Sequence, residues 1–206
     1  MRIELHSHTS RYSPCATDSP RKLMKHFVKC HYDVVFLTEH NQVWPDKELD
    51  DIRKKFPELL ILPGVELSIS MESSPQAQHL VVLGTNNPAY LVIRDPRRVL
   101  ERARSEGLLT ILAHPFRWEG SGRMLEEGLR PDALEFRTNN HTAEQGKLSR
   151  QAAETMGIPL VNAGDTHCRD FINRFWIETK RSLVEARDIR EIVLAGAYQN
   201  CSAPDL

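Results

Sequence analysis

Short apolar runs alternate with longer amphipathic stretches along almost the whole chain. The short runs predict strands, and one of them, Asp33–Thr38 (DVVFLT), is rich in β-branched residues and is predicted to be buried on both sides of a sheet. The predicted strands are Arg2–Leu5, Asp33–Thr38, Leu59–Leu62, His79–Leu83, Leu108–Ala113, Ala133–Phe136 and Pro159–Ala163, with Phe175–Thr179 as a further candidate.

The amphipathic stretches between these runs predict helices. Ser19-Pro20 begins the first helix, with serine as N-cap and proline at the first helical position. Glycines 107 and 157 end two others. The later predicted helices are Pro45–Lys55, Asp95–Glu106, Thr142–Met156 and Val184–Ala195. This alternation predicts parallel strands joined by crossovers, and about seven strands favour a closed or nearly closed α/β barrel.

The composition is that of an ordinary globular domain. Hydrophobic residues make up 40% and charged residues 27%, and 27 basic against 28 acidic residues give a net charge of −1. This balance provides no basic surface for a nucleic-acid backbone or an anionic membrane, so nucleic acid is expected only as a small nucleotide or oligonucleotide substrate. No linker or repeat divides the chain, and residues 1–206 are predicted to form one domain.

Location and redox chemistry follow from two further features. No apolar run approaches the roughly 20 residues that cross a bilayer. The start MRIELHSH is too polar for a secretory signal, so a cytoplasmic protein is expected. The four cysteines lie far apart without a CxxC pair, which indicates neither a disulfide framework nor a thiolate zinc site.

Residues that bind metals in proteins stand at the ends of the predicted strands. Because the carboxyl ends of parallel strands share one face, side chains from distant segments are expected to meet there. They are His6, His8, Glu39, His40, Glu66, His79, His114, Asp165 and His167.

The spacing of two of these groups suits a shared ion. Residues i and i+2 of an extended segment point the same way, so His6 and His8 can bind one metal, and Asp165 and His167 repeat this geometry. One such pair is weak evidence, but the joint pattern predicts an open, catalytic, multinuclear site. Mixed histidine and carboxylate ligands suit zinc, manganese or iron.

Five short motifs carry a family resemblance: LHSHTS, TEHN, GVE, AHP and GDTH. In this order and spacing they resemble the PHP (polymerase and histidinol phosphatase) domain family, and the start of the chain through Ser13-Pro14-Cys15 is similar to its stand-alone metal-dependent phosphoesterases. The resemblance covers nearly the whole chain. It implies a distorted (β/α)7 barrel, TIM-barrel-like, with two or three divalent ions (zinc, manganese or iron) at the carboxyl ends of the strands.

The resemblance also implies an arrangement of ligands. It places a first metal on His6, His8, Glu66 and Asp165, and a second on Glu66, His79 and His114. A third would use His40 and His167. Two departures bear on the third site. The loop after the first motif offers Cys15 and Asp18 where many members have an aspartate or histidine, and Cys15 is either a soft ligand or a small loop residue. The second motif contains Glu39 instead of aspartate, which can orient His40 without binding the metal.

The expected chemistry is hydrolysis of a small phosphate ester, with a monoester favoured. Metal coordination lowers the pKa of water from about 15.7 towards 7 and so supplies a hydroxide nucleophile. Arg117 is either a phosphate clamp or a solvated loop charge. Two alternatives stay open: an amidohydrolase-type metal hydrolase and a non-catalytic metal-binding PHP module. The loops 71–78, 117–123 and 138–142 would determine the substrate, which the sequence does not name, nor does it name the oligomeric state.

Overall fold

The computed structural model describes residues 1–204, along which strands and helices alternate. The strands are β1 (Arg2–Glu4), β2 (Val34–Leu37), β3 (Leu60–Ile69), β4 (Gln78–Leu83), β5 (Leu109–Leu112), β6 (Ala133–Glu135), β7 (Leu160–Val161), β8 (Phe175–Glu178) and β9 (Gln199–Ser202). The helices are α1 (Pro20–Lys29), α2 (Asp46–Arg53), α3 (Pro96–Ser105), α4 (Arg123–Glu126), α5 (Ala143–Met156) and α6 (Asp188–Leu194).

All of these strands belong to one sheet, in the order β7-β6-β5-β4-β3-β2-β1-β8-β9. The parallel pairing predicted from the sequence is found from β1 to β3 and from β5 to β7. It is wrong for β4, which is antiparallel to both of its neighbours, and for β8, which is antiparallel to β1. The ninth strand, which the sequence did not indicate, is antiparallel to β8.

The direction of β4 has a local cause. β3 does not turn at Pro63-Gly64, where the sequence suggested an end, but continues to Ile69. The segment 70–77 contains no helix and returns the chain directly beside β3, so Gly64–Ile69 pairs with Gln78–Leu83. A connection without a crossover joins antiparallel strands.

The sheet curls into a nearly closed barrel, which confirms the predicted fold class. At one end, the segment after β7 bonds to the segment after β1: Thr166 N donates to His6 O at 3.0 Å, and His8 N donates to Thr166 O at 2.8 Å. At the other end, the amide of Asn162 donates to Cys201 O of β9 at 2.9 Å. The antiparallel pair β8 and β9, whose connection contains α6, therefore fills the gap between β7 and β1.

Strand residues alternate between the barrel interior and the surrounding helices. In β2, Val34 and Phe36 pack inside, whereas Val35 and Leu37 pack against the cluster that includes α1 and α2 residues. Ile189, Ile192 and Val193 of α6 join the interior cluster. Helix α6 thus packs against the barrel core, and the ends of the parallel strands carry the polar residues.

The predicted helices are found, with differences at their ends. Thr142 and Gln145 form a capping box at the start of α5, and Gly157 ends it with a φ of 61°. The last helix begins at Asp188 instead of Val184, because the Asp188 carboxylate accepts the backbone N–H groups of Val184 and Glu185 and holds them in a turn. Among the described helices, none has the length and apolar character needed to span a bilayer.

Candidate metal centre

The eight predicted ligand residues meet at the carboxyl end of the barrel. His6 and His8 follow β1, His40 follows β2, His114 follows β5, and Asp165 with His167 follows β7. Glu66 lies within β3, where it pairs with His40 in an isolated parallel bridge. His79 stands at the start of β4, and because that strand is antiparallel its first residues lie at the same end of the barrel.

Glu66 is the centre of the group, fully buried and in contact with five imidazoles. Its Oε2 atom lies 3.3 Å from His6 Nε2, 3.2 Å from His8 Nε2 and 2.8 Å from His40 Nδ1. Its Oε1 atom lies 2.8 Å from His79 Nδ1 and 3.3 Å from His114 Nε2. The two oxygens thus face two different sets of histidines, as a carboxylate that bridges two ions must.

Asp165 closes the other side of the same group. Its Oδ1 atom lies 3.5 Å from His6 Nε2, 3.3 Å from His8 Nε2 and 3.3 Å from His167 Nδ1. Its Oδ2 atom lies 3.8 Å from His114 Nε2 and accepts a hydrogen bond from the Asn140 amide.

These donor atoms fit divalent cations better than they fit one another. Within the described chain, the buried atoms Glu66 Oε2 and Asp165 Oδ1 accept no hydrogen bond, although several imidazole nitrogens lie within 3.5 Å. Buried polar atoms are almost always hydrogen-bonded in proteins. Imidazole nitrogens that converge on carboxylate oxygens, two of which accept no hydrogen bond, are the donor set of zinc, manganese or iron.

Three sets of ligand atoms lie within 4.8 Å of one another: His6, His8 and Glu66; His40, Glu66 and His79; and His8, His40 and His167. The first set agrees with the first site that the resemblance implies. The other two differ from it, since His40 groups with Glu66 and His79 as well as with His167.

The electrostatics of the group reflect its dense packing of unlike charges. Burial acts to raise the pKa of Glu66 and Asp165, but the charge of His6 and contacts with other histidines lower both well below their usual values. Burial acts to lower the pKa of His8, but contacts with Asp165 and Glu66 outweigh it and raise this pKa to about 9. For His167, burial dominates and lowers the pKa.

Glu39 contacts residues that support the ligands and belongs to none of the three ligand sets found among the described residues. It is fully buried and accepts hydrogen bonds from Thr9, from Ser13 Oγ at 2.5 Å and from Trp44 Nε1 at 3.2 Å. Ser13 Oγ in turn accepts the backbone N–H of His40 at 3.2 Å. Glu39 therefore reaches His40 through Ser13, and it fixes the loop that follows the first motif.

The loop that departs from the family pattern contributes little to the group. Asp18 points away, because its carboxylate accepts the backbone N–H of Arg169 at 2.9 Å. Cys15 is exposed, and its thiol belongs to none of the three ligand sets found among the described residues. Burial and the negative charge of Glu66 and Asp165 raise the pKa of this thiol.

Arg117 and Trp118 form the rim of the site. The Trp118 ring packs against His79 and His114, with centroids 5.5 and 5.4 Å apart. The Arg117 guanidinium lies 4.7 Å from the Trp118 ring centroid. Arg11, another cation near the first motif, is paired with Glu48 at 3.1 Å.

Two site residues adopt strained backbone. His114 has a φ of 30° and Asp165 a φ of 46°, values that residues with side chains rarely adopt. Such strain persists only where the surroundings hold it, and it concentrates at functional sites. Glu4 supplies part of that support: its carboxylate accepts the backbone N–H groups of His6 and Gly164, and burial raises its pKa to about 7.

Glu135 was missed by the sequence analysis. It ends β6, is fully buried, and lies 2.7 Å from His6 Nδ1 through Oε1. The signal available was a single carboxylate inside the apolar run ALEF, which matches no motif. His141 is a loop residue: its ring is 2.6 Å from Pro115 O, and it is in none of the ligand sets found among the described residues.

Comparison with known proteins places this geometry among related folds. No family model matches the chain. An uncharacterized protein of Methanocaldococcus jannaschii is 27% identical over 126 residues, which is 56% of this chain and 68% of that protein.

Solved structures resemble the chain over most of its length. A two-domain protein of Bacteroides vulgatus that contains a PHP-like phosphoesterase, predicted to be metal-dependent, superimposes with a TM-score of 0.72 at 15% identity, covering 98% of this chain. This chain spans 64% of that protein's length. A protein of Bifidobacterium adolescentis described as a metal-dependent phosphoesterase gives 0.64 at 13% identity, covering 94% of this chain and 95% of its own. An amidohydrolase of Chromobacterium violaceum, solved with sulfate and without metal, gives 0.61 at 14%, covering 82% and 88%.

The chain therefore has the TIM-barrel-like fold found in PHP-like phosphoesterases and in an amidohydrolase. At these identities the likeness establishes the fold alone.

Proposed function

We propose that the chain is a metal-dependent hydrolase that cleaves a small phosphate ester, preferably a monoester. The observation that carries the proposal is the pair of buried carboxylates, Glu66 and Asp165, whose oxygens face six histidines. Among the residues that the structure describes, Glu66 Oε2 and Asp165 Oδ1 accept no hydrogen bond. The names of the B. vulgatus and B. adolescentis neighbours support the same reaction class.

His6, His8, Glu66 and Asp165 would hold one divalent ion, and Glu66 with His79 and His114 a second. His40 and His167 would hold a third, since each imidazole binds one ion. Such ions lower the pKa of coordinated water and neutralise phosphate oxygens. Manganese, zinc and iron all suit these ligands, and the availability of each metal would decide among them.

Residues around the ligands would bind the substrate, exclude water and position His40. Arg117 would bind the oxygens of the phosphoryl group, since a guanidinium can donate two parallel hydrogen bonds to an oxyanion. The Trp118 ring covers His79 and His114 on one side and would exclude water from them. Glu39 would act through Ser13, by keeping the His40 backbone in place.

The test is a substrate comparison with protein treated with chelator and then reloaded with manganese or zinc. We expect hydrolysis of p-nitrophenyl phosphate or of another phosphomonoester, and little turnover of simple amides or lactones. Preferential turnover of amides or lactones would favour the amidohydrolase alternative, which the C. violaceum neighbour raises. Metal binding without turnover of a broad phosphate-ester panel would favour a non-catalytic module.

A further inference from the structure

Glu135 contacts two candidate metal ligands, His6 and His114, which lie on different sides of the site. Its Oε1 atom lies 2.7 Å from His6 Nδ1, and its Oε2 atom accepts the backbone N–H of His114 at 2.6 Å. All three residues are buried. His6 follows β1 and His114 follows β5, so one carboxylate holds ligands from two distant strands.

The contact with His6 determines which ring nitrogen is free. A carboxylate accepts but does not donate hydrogen bonds, so Nδ1 carries the proton that is donated to Glu135. In the neutral form of His6 that binds a metal, the other nitrogen, Nε2, then presents its lone pair towards the space beside Glu66 and Asp165, which lie 3.3 and 3.5 Å away. A partner of this kind fixes the orientation of a metal-binding histidine and raises its basicity.

The contact with His114 stabilises a strained backbone conformation. The backbone of His114 is strained, with a φ of 30°, and its N–H is buried with the rest of the residue. Glu135 gives that N–H its acceptor, so the conformation that aims the ring at Glu66 Oε1 is held at its backbone.

We propose that Glu135 is a positioning residue of the metal centre, which holds His6 and His114 in their metal-binding orientations at the same time. The inference rests on the proposed metal site and extends it to a residue that does not itself touch a metal. It requires two acceptor oxygens at position 135, because two donors from different strands point at the two oxygens.

Substitution by glutamine separates this role from ordinary packing. Glutamine has the same shape but only one acceptor oxygen, so in Glu135→Gln either His6 Nδ1–H or His114 N–H would face an NH2 group. Glu4 provides a matched control. It is equally buried, but its Oε1 atom accepts both backbone N–H groups, from His6 and Gly164, and Oε2 faces only the Thr166 hydroxyl. A glutamine there keeps the acceptor for both N–H groups and can donate to the hydroxyl.

The experiment measures zinc and manganese binding to chelator-treated wild type, Glu135→Gln and Glu4→Gln by calorimetry, with thermal unfolding of each metal-free protein. We expect Glu135→Gln to weaken binding about 10- to 100-fold, the usual effect of losing such a partner. Glu4→Gln should stay within about two-fold of wild type, since the oxygen that accepts both backbone N–H groups is kept and the Thr166 hydroxyl can turn to accept from the new NH2 group. Equal affinities in the two variants, or equal losses that follow equal losses in melting temperature, would overturn the inference.

A second measurement needs no variant. In zinc-loaded wild type, nitrogen-15 NMR should show His6 protonated at Nδ1, with a slowly exchanging, strongly downfield proton. An Nε2-protonated His6 would overturn the inference even if Glu135→Gln failed to fold. If the wild type bound neither metal, the proposed function would fall together with the inference, whereas normal binding by Glu135→Gln would remove the inference alone.

Discussion

Replacing Gly164 with alanine should destabilise the protein by disrupting the support beneath Asp165. A Cβ atom at this position would overlap Glu4 Oε2 and Thr166 Oγ1 and would lie 3.0 Å from Glu4 Cδ. The Glu4 carboxylate would have to move away from the backbone N–H groups of Gly164 and His6, to which it bonds at 2.7 and 3.0 Å. A buried group left without its partner costs about 1–3 kcal/mol, so two lost bonds cost about 3 kcal/mol.

A loss of that size should lower the melting temperature by about 9 °C in a domain of this length. Gly128→Ala is the control, because nothing lies within 4 Å of a Cβ there and only its φ of 75° opposes alanine. That backbone cost is about 1 kcal/mol, or about 3 °C. Calorimetric melting of both variants tests the reasoning, and a Gly164→Ala protein that melts no lower than Gly128→Ala would refute it.

Three further outcomes are expected. In chelator-treated protein, the ion pairing of His8 contributes stability that is fully present below pH 6.5 and is lost as the pH rises through about 9, so the melting temperature should fall over this range. Over the same range the apparent zinc affinity should rise, because imidazoles must lose their protons to bind, and a pH-independent affinity by calorimetry would contradict this. Arg117→Met should raise KM for a phosphate ester about 10-fold or more with kcat little changed, since a charge-assisted hydrogen bond contributes about 1.5–3 kcal/mol. An unchanged KM would show that Arg117 does not bind the substrate.

The sequence predicted the barrel because several of its strands are buried on both faces and so form apolar runs, such as DVVFLT before His40. It predicted the ligand group because metal-type residues follow those runs directly. It did not predict the direction of β4, since apolar alternation carries no information on strand polarity and Pro63-Gly64 is typical of a turn. The exposed strand β9, with the polar sequence QNCS, has no apolar pattern to detect.

The residues that support the ligands could not be predicted from the sequence, for a different reason. Glu135 and Ser13 act on ligands that lie 129 and 27 residues away along the chain. Their roles depend on which strand ends come together, and only the folded barrel brings these residues into hydrogen-bond distance. The strain at His114 and Asp165 is likewise a property of the assembled site, because neither residue type favours a positive φ enough for sequence to indicate it.

The most direct test of the metal centre is metal content in wild type and in a variant with His6 and His8 both replaced by alanine. Chelator-treated wild type titrated with manganese or zinc should bind two or three ions per chain, by elemental analysis after gel filtration, and should regain phosphatase activity. The double variant should stay folded by circular dichroism, lose the ion held by His6, His8, Glu66 and Asp165, and show no turnover. Wild type that binds no divalent ion, or a double variant with full metal content and activity, would contradict the account.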